Sequence, residues 1–580
     1  MASSEFKGHR KTKHDHNLVR SSPVCSVRLG AQSGMGAGIS AGEARTVLLK
    51  LRADQRSLFI PSIAFATIGI ILAGLFLIIL KLNSGTFIYT LDDPYIHLAL
   101  SDQIRHGNYG VNAGLHAAPS SSILFPFLLA PAAGTFLHPY LPLILNGLAL
   151  FMTVEIMRRF LLHLRLAQDT FGAVALAGSL VLMALCFNMI GIVFTGLEHS
   201  LHIAAVAGIV YGLALFLDEN RMPVWLPAII VLCPLLRYEG LPLSLAALLV
   251  LALRGRWRTA AGTFASIVLC LAGFSTFLEK LGLPALPSSI LVKSVMGATA
   301  GGGTDAGLFE SVVKNAKSMY WNNIGFLMFI IWVAAVTLCL HEPLTKPQKW
   351  TSRGLMSLVL VCLITGHALG GRFGFQDRYE VYAVVGTALL GIYLGQGAIR
   401  GMLANKKDRV VLMLGTSLGL LLICSRYCET TALAPIAANN IYEQQLQMHR
   451  FVSDFYRAPV AVNDLGLVSY HNPNFVLDLV GLVSEKARLL RATHADSATY
   501  GRFVSENGVR LAIVYDEWFL GQIPVNWEKV GSMALSRKDV SPAHNEVEFY
   551  ATDAVTAAKV REELQAFRKT LPPQVALTVR

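Results

Sequence analysis

Two adjacent carboxylates, Asp92 and Asp93, stand in "YTLDDPYIHLALSDQIRHGNYG" (89–110), shortly after a run of 23 uncharged residues, Leu58–Leu80. An ionised acid beside a membrane is costly unless water, a partner or a task keeps it there. Asp93 followed by Pro94 reads as an N-cap with proline at the first helical position, opening a helix through Gln103. Ile96, Leu100 and Ile104 then share one stripe, the pattern of a helix lying along the membrane surface. Capping accounts for Asp93 and leaves Asp92 to act as a general base. Four other polar stretches interrupt apolar sequence: "TGLEHSLH" (195–202), "RYEG" (237–240), "PSSILVKS" (287–294) and "GFQDRYE" (374–380). Each has a plain structural reading. Glu198 can cap or snorkel, Arg237 and Glu239 can pair across their turn, and Lys293 and Arg378 can anchor at the interface. Glu198 with His199 and His202 lacks the HExxH spacing, so no metal is assigned to it. Taken together, acids beside Lys and Arg at the mouth of a helical bundle can deprotonate a nucleophile while holding an anionic leaving group.

The elements that must carry these residues follow from composition. The chain has 580 residues, is 53% hydrophobic and only 15% charged, with a mean hydropathy of +0.51. That balance belongs to helices buried in lipid. The net charge of +12 is spread over a basic N-terminal tail and short Lys/Arg clusters between apolar runs. This is the positive-inside pattern and not a nucleic-acid footprint. The eight cysteines lie mostly inside apolar runs, with none beyond Cys428, so no disulfide framework or zinc knuckle is indicated.

Assigning the basic clusters to the cytoplasm predicts about eleven spans. They are 58–80, a return ending near 157, 172–190, 199–217, 223–236, 241–253, 259–277, 323–340, 354–370, 380–398 and 410–427. The stretch 121–140, interrupted by Pro126, Pro131 and Pro139, is expected to be re-entrant or broken. Three regions result: a disordered cytoplasmic tail (1–57), a membrane domain (58–433) and a soluble extracytoplasmic α/β domain (434–580). The membrane domain has a first outer loop at 81–138 and a lid-like, glycine-rich outer loop at 278–322. In the last region "APVAVNDLGLVSY", "NFVLDLVGL" and "VRLAIVYDEWF" read as strands and "DAVTAAKVREELQAFRKTL" as a closing amphipathic helix. Every polar stretch above then falls on the outer face.

At these residues the chain resembles a GT-C glycosyltransferase, most nearly the branch of the mycobacterial terminal arabinofuranosyltransferase. The acidic pair Asp92/Asp93 is similar to the one in the first outer loop of that class, and "GLEHSL", "RYEG", "PSSILVKS" and "DRYEVY" resemble its later outer segments. "VNDLGLVSYHNPNFVLDLVGLVSE" (462–485) resembles an Asp-x-Gly unit of its extracytoplasmic domains. Ser288, Ser289 and Tyr238 depart from the pattern. The resemblance implies an inverting transferase in the bacterial plasma membrane. It would move a sugar from a polyprenyl-phosphate donor to a hydroxyl of an envelope glycan, glycolipid or glycoprotein. Asp92, Asp93 and Glu198 would be catalytic. Lys293, Arg378 and Arg237 would hold the donor phosphate, with Glu239, His97, His199 and Tyr379 as further substrate contacts. No cofactor is expected, and a divalent ion on the acids is the less favoured alternative. Two alternatives are a flippase of lipid-linked sugars, which would place charges near the midplane and repeat its halves, and a non-catalytic envelope scaffold working through its C-terminal domain.

Overall fold

The structure, a computed structural model, describes residues 41–167, 169–291 and 306–580. The chain divides into two units, 1–55 and 56–580, and the candidate site lies wholly in the second. Of the expected tail, residues 1–40 fall outside the described residues. Residues 41–57 are helical, within Ala41–Leu82, where a disordered tail was expected.

The protein is a polytopic helical membrane protein with a C-terminal α/β domain. Helices cover all eleven expected segments, but 172–190 breaks after Cys186 and 410–427 after Ile423. Seven are long and apolar enough to cross a membrane: Ser62–Leu82, His138–His163, His199–Glu219, Trp257–Lys280, Asn323–Leu340, Ser352–Gly370 and Val381–Ala404. Lys406–Ile423 with its bent continuation Ser425–Tyr456 makes an eighth if the pair is one span, and Thr170–Cys186, Leu226–Leu236 and Tyr238–Leu253 are shorter. Polar caps set the boundaries. Asp169 accepts the N–H of Gly172 at 2.6 Å, Thr351 that of Gly354 at 3.0 Å, and Asn322 those of Ile324 and Gly325. His199–Glu219 is the central helix, with 78% of its span buried by protein. As expected, 121–140 is broken. Phe125–Leu129 is a single short helix, followed by tight turns at Ala130–Ala132 and His138–Tyr140.

The connections gather at two ends. At one, Arg409 pairs with Asp169 (2.9 Å), His163 with Asp218 (3.0 Å), and Arg353 and Arg400 donate to the carbonyls of Leu394 and Leu164. The other end carries the C-terminal domain and all the polar stretches that are described. The domain is built on a six-stranded sheet of order β2-β1-β3-β5-β4-β6. Its strands are β1 (Val460–Val462), β2 (Val476–Asp478), β3 (Leu511–Val514), β4 (Glu528–Ala534), β5 (Glu546–Ala551) and β6 (Ala576–Val579). β1 runs parallel to β2 and β3, and the other pairings are antiparallel. Helix Ala554–Arg568 closes the fold with Val560, Leu564 and Phe567 buried, as its amphipathic pattern requires. β4, β5 and β6 were not read from the sequence.

Candidate active site

The acidic pair opens helix Asp93–Arg105, and its two carboxylates face different partners. Asp92 accepts the backbone N–H of Gly466 at 2.6 Å and of Leu467 at 2.8 Å, at the start of helix Gly466–Ser469. It therefore ties the first loop to the C-terminal domain. Burial and the neighbouring Asp464 push its carboxyl up to about 8, against the pull of the two amides. Asp464 is raised as well, chiefly by burial, although it accepts from the Tyr515 hydroxyl (2.8 Å) and Gln445 (3.0 Å). Asp92 holds the N-cap position, without a side-chain capping bond, so Asp93 is not the expected cap. It accepts instead from Arg378 Nη2 at 2.7 Å and leaves its side chain 43% exposed. Its Oδ1 accepts nothing from the described residues.

The helix itself differs from the expected surface helix. Residues from Pro94 to Ser101 are all buried. It lies beneath Gly466–Ser469 and against Phe125–Leu129, so the Ile96/Leu100/Ile104 stripe is only part of what it buries.

Arg378 is 3% exposed. Its guanidinium lies between the rings of Phe375 (4.7 Å) and Tyr379 (4.8 Å), and Nη2 also reaches the Tyr379 hydroxyl at 2.9 Å. Nε and Nη1 have no hydrogen-bond partner among the described residues. The turn that aims it is strained. Gly374, Phe375, Gln376 and Asp377 all have positive φ (88°, 48°, 59° and 46°). The three non-glycine residues cost about 1–2 kcal/mol each in that region. Buried side chains hold them there. Asn188 donates to the carbonyls of Gln376 and Asp377, both at 3.1 Å. Asp377 is met by Arg426 (2.9 Å) and Thr430 (2.7 Å). Glu380 accepts from the Gly374 N–H (3.2 Å) and the Tyr427 hydroxyl (2.7 Å).

Beside this turn lies a buried ion network. Glu198, fully buried, accepts from Arg237 Nη1 and from the Ser121 hydroxyl (3.2 Å), and Arg237 Nη2 reaches Glu239 at 2.8 Å. Two carboxylates thus compensate one buried guanidinium. His97 Nε2 stands 3.9 Å from Glu198, and burial lowers the His97 pKa against the pull of that acid. Tyr379 joins the two halves: Arg237 lies 5.8 Å from its ring and the His199 ring 6.0 Å.

Nine of the ten residues singled out in the sequence are therefore gathered at one end: Asp92, Asp93, His97, Glu198, His199, Arg237, Glu239, Arg378 and Tyr379. Lys293 lies outside the described residues, with 292–305 of the loop expected at 278–322, and Ala306–Trp321 within that expected loop is a helix. Sequence reasoning missed Asn188, Asp377, Glu380 and Asp464. Asp464 had a signal as the acid of the Asp-x-Gly unit, and Asp377 and Glu380 lie within "GFQDRYE", where they were given no role.

Residues 439–550, within the C-terminal domain, match the model of a family described as Domain of unknown function (DUF8728). No curated protein matches the chain. Among solved structures it is similar to the Archaeoglobus fulgidus oligosaccharyltransferase in the apo form. The identity is 13% and the TM-score 0.42, over 83% of this chain and 74% of that one. It is also similar to the same organism's oligosaccharyltransferase AglB in complex with an inhibitory peptide and a dolichol-phosphate, at 12% identity and a TM-score of 0.36, over 84% and 74%. A third is the mycobacterial arabinofuranosyltransferase AftD, at 13% identity and a TM-score of 0.33, over 84% of this chain but 42% of that one.

Proposed function

We propose that the protein is an inverting glycosyltransferase. It moves a sugar from a polyprenyl-phosphate donor to a hydroxyl of an envelope glycan, glycolipid or glycoprotein at the extracytoplasmic face of a bacterial plasma membrane. The observation that carries this reading is the Asp93–Arg378 pair. Among the described residues one carboxylate oxygen accepts nothing and two guanidinium nitrogens lack partners, and both side chains sit where apolar helices meet the soluble domain. A donor anchored by its lipid tail presents its phosphate at that depth. Arg378 binds the phosphate and stabilises it as it departs, a role suited to the planar fork of Arg. Asp93 takes the proton of the acceptor hydroxyl as that oxygen attacks the anomeric carbon from the opposite side. The base is thus Asp93, with Asp92 as its anchor, the reverse of the roles expected from capping. Glu198, Arg237 and Glu239 form the fixed charge floor on which Tyr379 and His97 are set, so Arg237 is committed to the protein and is a weaker phosphate ligand. Lys293 remains a candidate for the donor phosphate. The chemistry written here uses no cofactor.

The test is turnover of polyprenyl-phosphate sugars by the full chain in nanodiscs, followed as release of polyprenyl phosphate in the presence of acceptor glycan. Asp93→Asn should lower turnover by ~10²-fold or more while donor binding persists. Arg378→Ala should lower both. Full turnover in Asp93→Asn removes the base assignment, and unchanged donor binding in Arg378→Ala removes the phosphate site.

A further inference from the structure

A cluster that the transfer chemistry does not use lies where three segments meet. Asp102 is on helix Asp93–Arg105, His138 starts the span His138–His163, and His471 follows helix Gly466–Ser469. One ligand atom from each lies within 4.8 Å of the others. His138 is fully buried, Asp102 part-buried and His471 exposed, so the cluster has a closed side and a wet side.

The hydrogen bonds around His138 fix its tautomer. The Ser101 hydroxyl gives its one proton to the Leu98 carbonyl at 2.8 Å. The same hydroxyl lies 2.8 Å from His138 Nε2, and with its proton on the Leu98 carbonyl it accepts from an Nε2–H. Nδ1 is then unprotonated and accepts from the Tyr470 hydroxyl at 3.1 Å, a hydrogen bond that an ion bound at Nδ1 replaces. An imidazole with one nitrogen pinned as a donor and the other a lone pair is how metal-ligating histidines are held. His471 has a φ of 55°, in the left-handed region. Its ring stacks on Tyr470 with centroids 3.9 Å apart and lies 6.4 Å from the His138 ring.

We propose that Asp102, His138 Nδ1 and His471 bind one zinc ion, with water in the remaining position, as a clamp between the membrane domain and the C-terminal domain. Two imidazole nitrogens, one carboxylate oxygen and an open side form a ligand set that zinc accepts. His471 lies two residues beyond the short helix whose amides hold Asp92. The ion therefore fastens the same contact from its other end. The clamp is independent of the transfer reaction.

The test uses tag-free full-length protein in nanodiscs, stripped with chelator and dialysed against zinc sulfate. Zinc per chain is read by mass spectrometry and Tm with and without the metal. The parent should retain one equivalent and melt higher with zinc. His471→Gln and Asp102→Asn, both on the wet side, should match the metal-free parent in Tm, bind zinc at least ~10-fold more weakly and lose the rise. A parent that retains no zinc overturns the proposal. So do zinc retention and a Tm response that are unchanged in both variants. Zinc that survives Asp102→Asn but is lost in Asp93→Asn would belong to the transfer acids, which also overturns it.

Discussion

Asp92 and Asp93 are chemically identical neighbours in opposite surroundings, and the surroundings divide their work. A carboxylate that accepts two backbone amides has its lone pairs committed, and moving it costs those bonds. A carboxylate with one oxygen on an arginine and the other facing outward can accept a proton without unseating anything. The pH behaviour of Asp92 follows from its raised pKa. In the fold it keeps its proton up to about 8, whereas in the unfolded chain it ionises near 4. The folded state therefore binds more protons between those values, and stability falls as pH rises through that window. Asp92→Asn is isosteric with the protonated acid and has no charge to gain. Thermal melts at pH 5 and pH 8 should show the parent losing more Tm than Asp92→Asn over that interval. Equal losses would mean that the contact with Gly466 and Leu467 is indifferent to the charge on Asp92.

At the scale of elements, two short pieces of backbone do most of the positioning. One is the left-handed turn at 374–377, and the other is the start of helix Gly466–Ser469. A Cβ at Gly466 would lie 2.2 Å from the Asp92 carbonyl oxygen and 2.5 Å from its Oδ2, so only glycine admits the approach. Gly466→Ala should push Asp92 off the amides, lower Tm and expose the junction to protease. A Tm and digestion pattern like the parent's would show that the contact carries little of the docking. The sequence made these two elements legible to different degrees. The Asp-x-Gly at 464–466 was visible as a unit, though not that its glycine makes room for Asp92. The turn at 374–377 was invisible. Only Gly374 advertises positive φ, and Phe375, Gln376 and Asp377 adopt it because Asn188, Arg426, Thr430 and Tyr427 from distant helices hold them. Apolar runs of 18–26 residues announce helices through local pattern alone, which is why the long spans were legible. The cap at Asp93 failed for the same reason in reverse: a local propensity was overridden by Arg378, 285 residues away.

At the scale of the whole membrane part and its domain, the arrangement has two ends with different chemistry. One end joins Arg353, Arg400 and Arg409 to carbonyls and an acid between spans. The other fuses the first loop to the C-terminal domain. Asn112 accepts from and donates to Val476, both at 3.0 Å, and Ser541 donates to the Thr90 carbonyl. The proposed base and phosphate ligand, carried by such a body, would hold their spacing without help from substrate. The basic clusters at the far end predict its orientation, with that end cytoplasmic, because Lys and Arg in short loops tend to stay inside. Cysteine labelling with a membrane-impermeant maleimide checks this in a background without native cysteines. Ala113→Cys and Asn507→Cys, both exposed at the domain end, should react in intact cells. Arg256→Cys and Lys407→Cys should react only after permeabilisation. The reverse pattern would place the acids in the cytoplasm and end the lipid-donor reading at the outer face. Labelling of Ala113→Cys together with Arg256→Cys in intact cells would instead break the two-ended arrangement, since both positions would then lie on one side of the membrane.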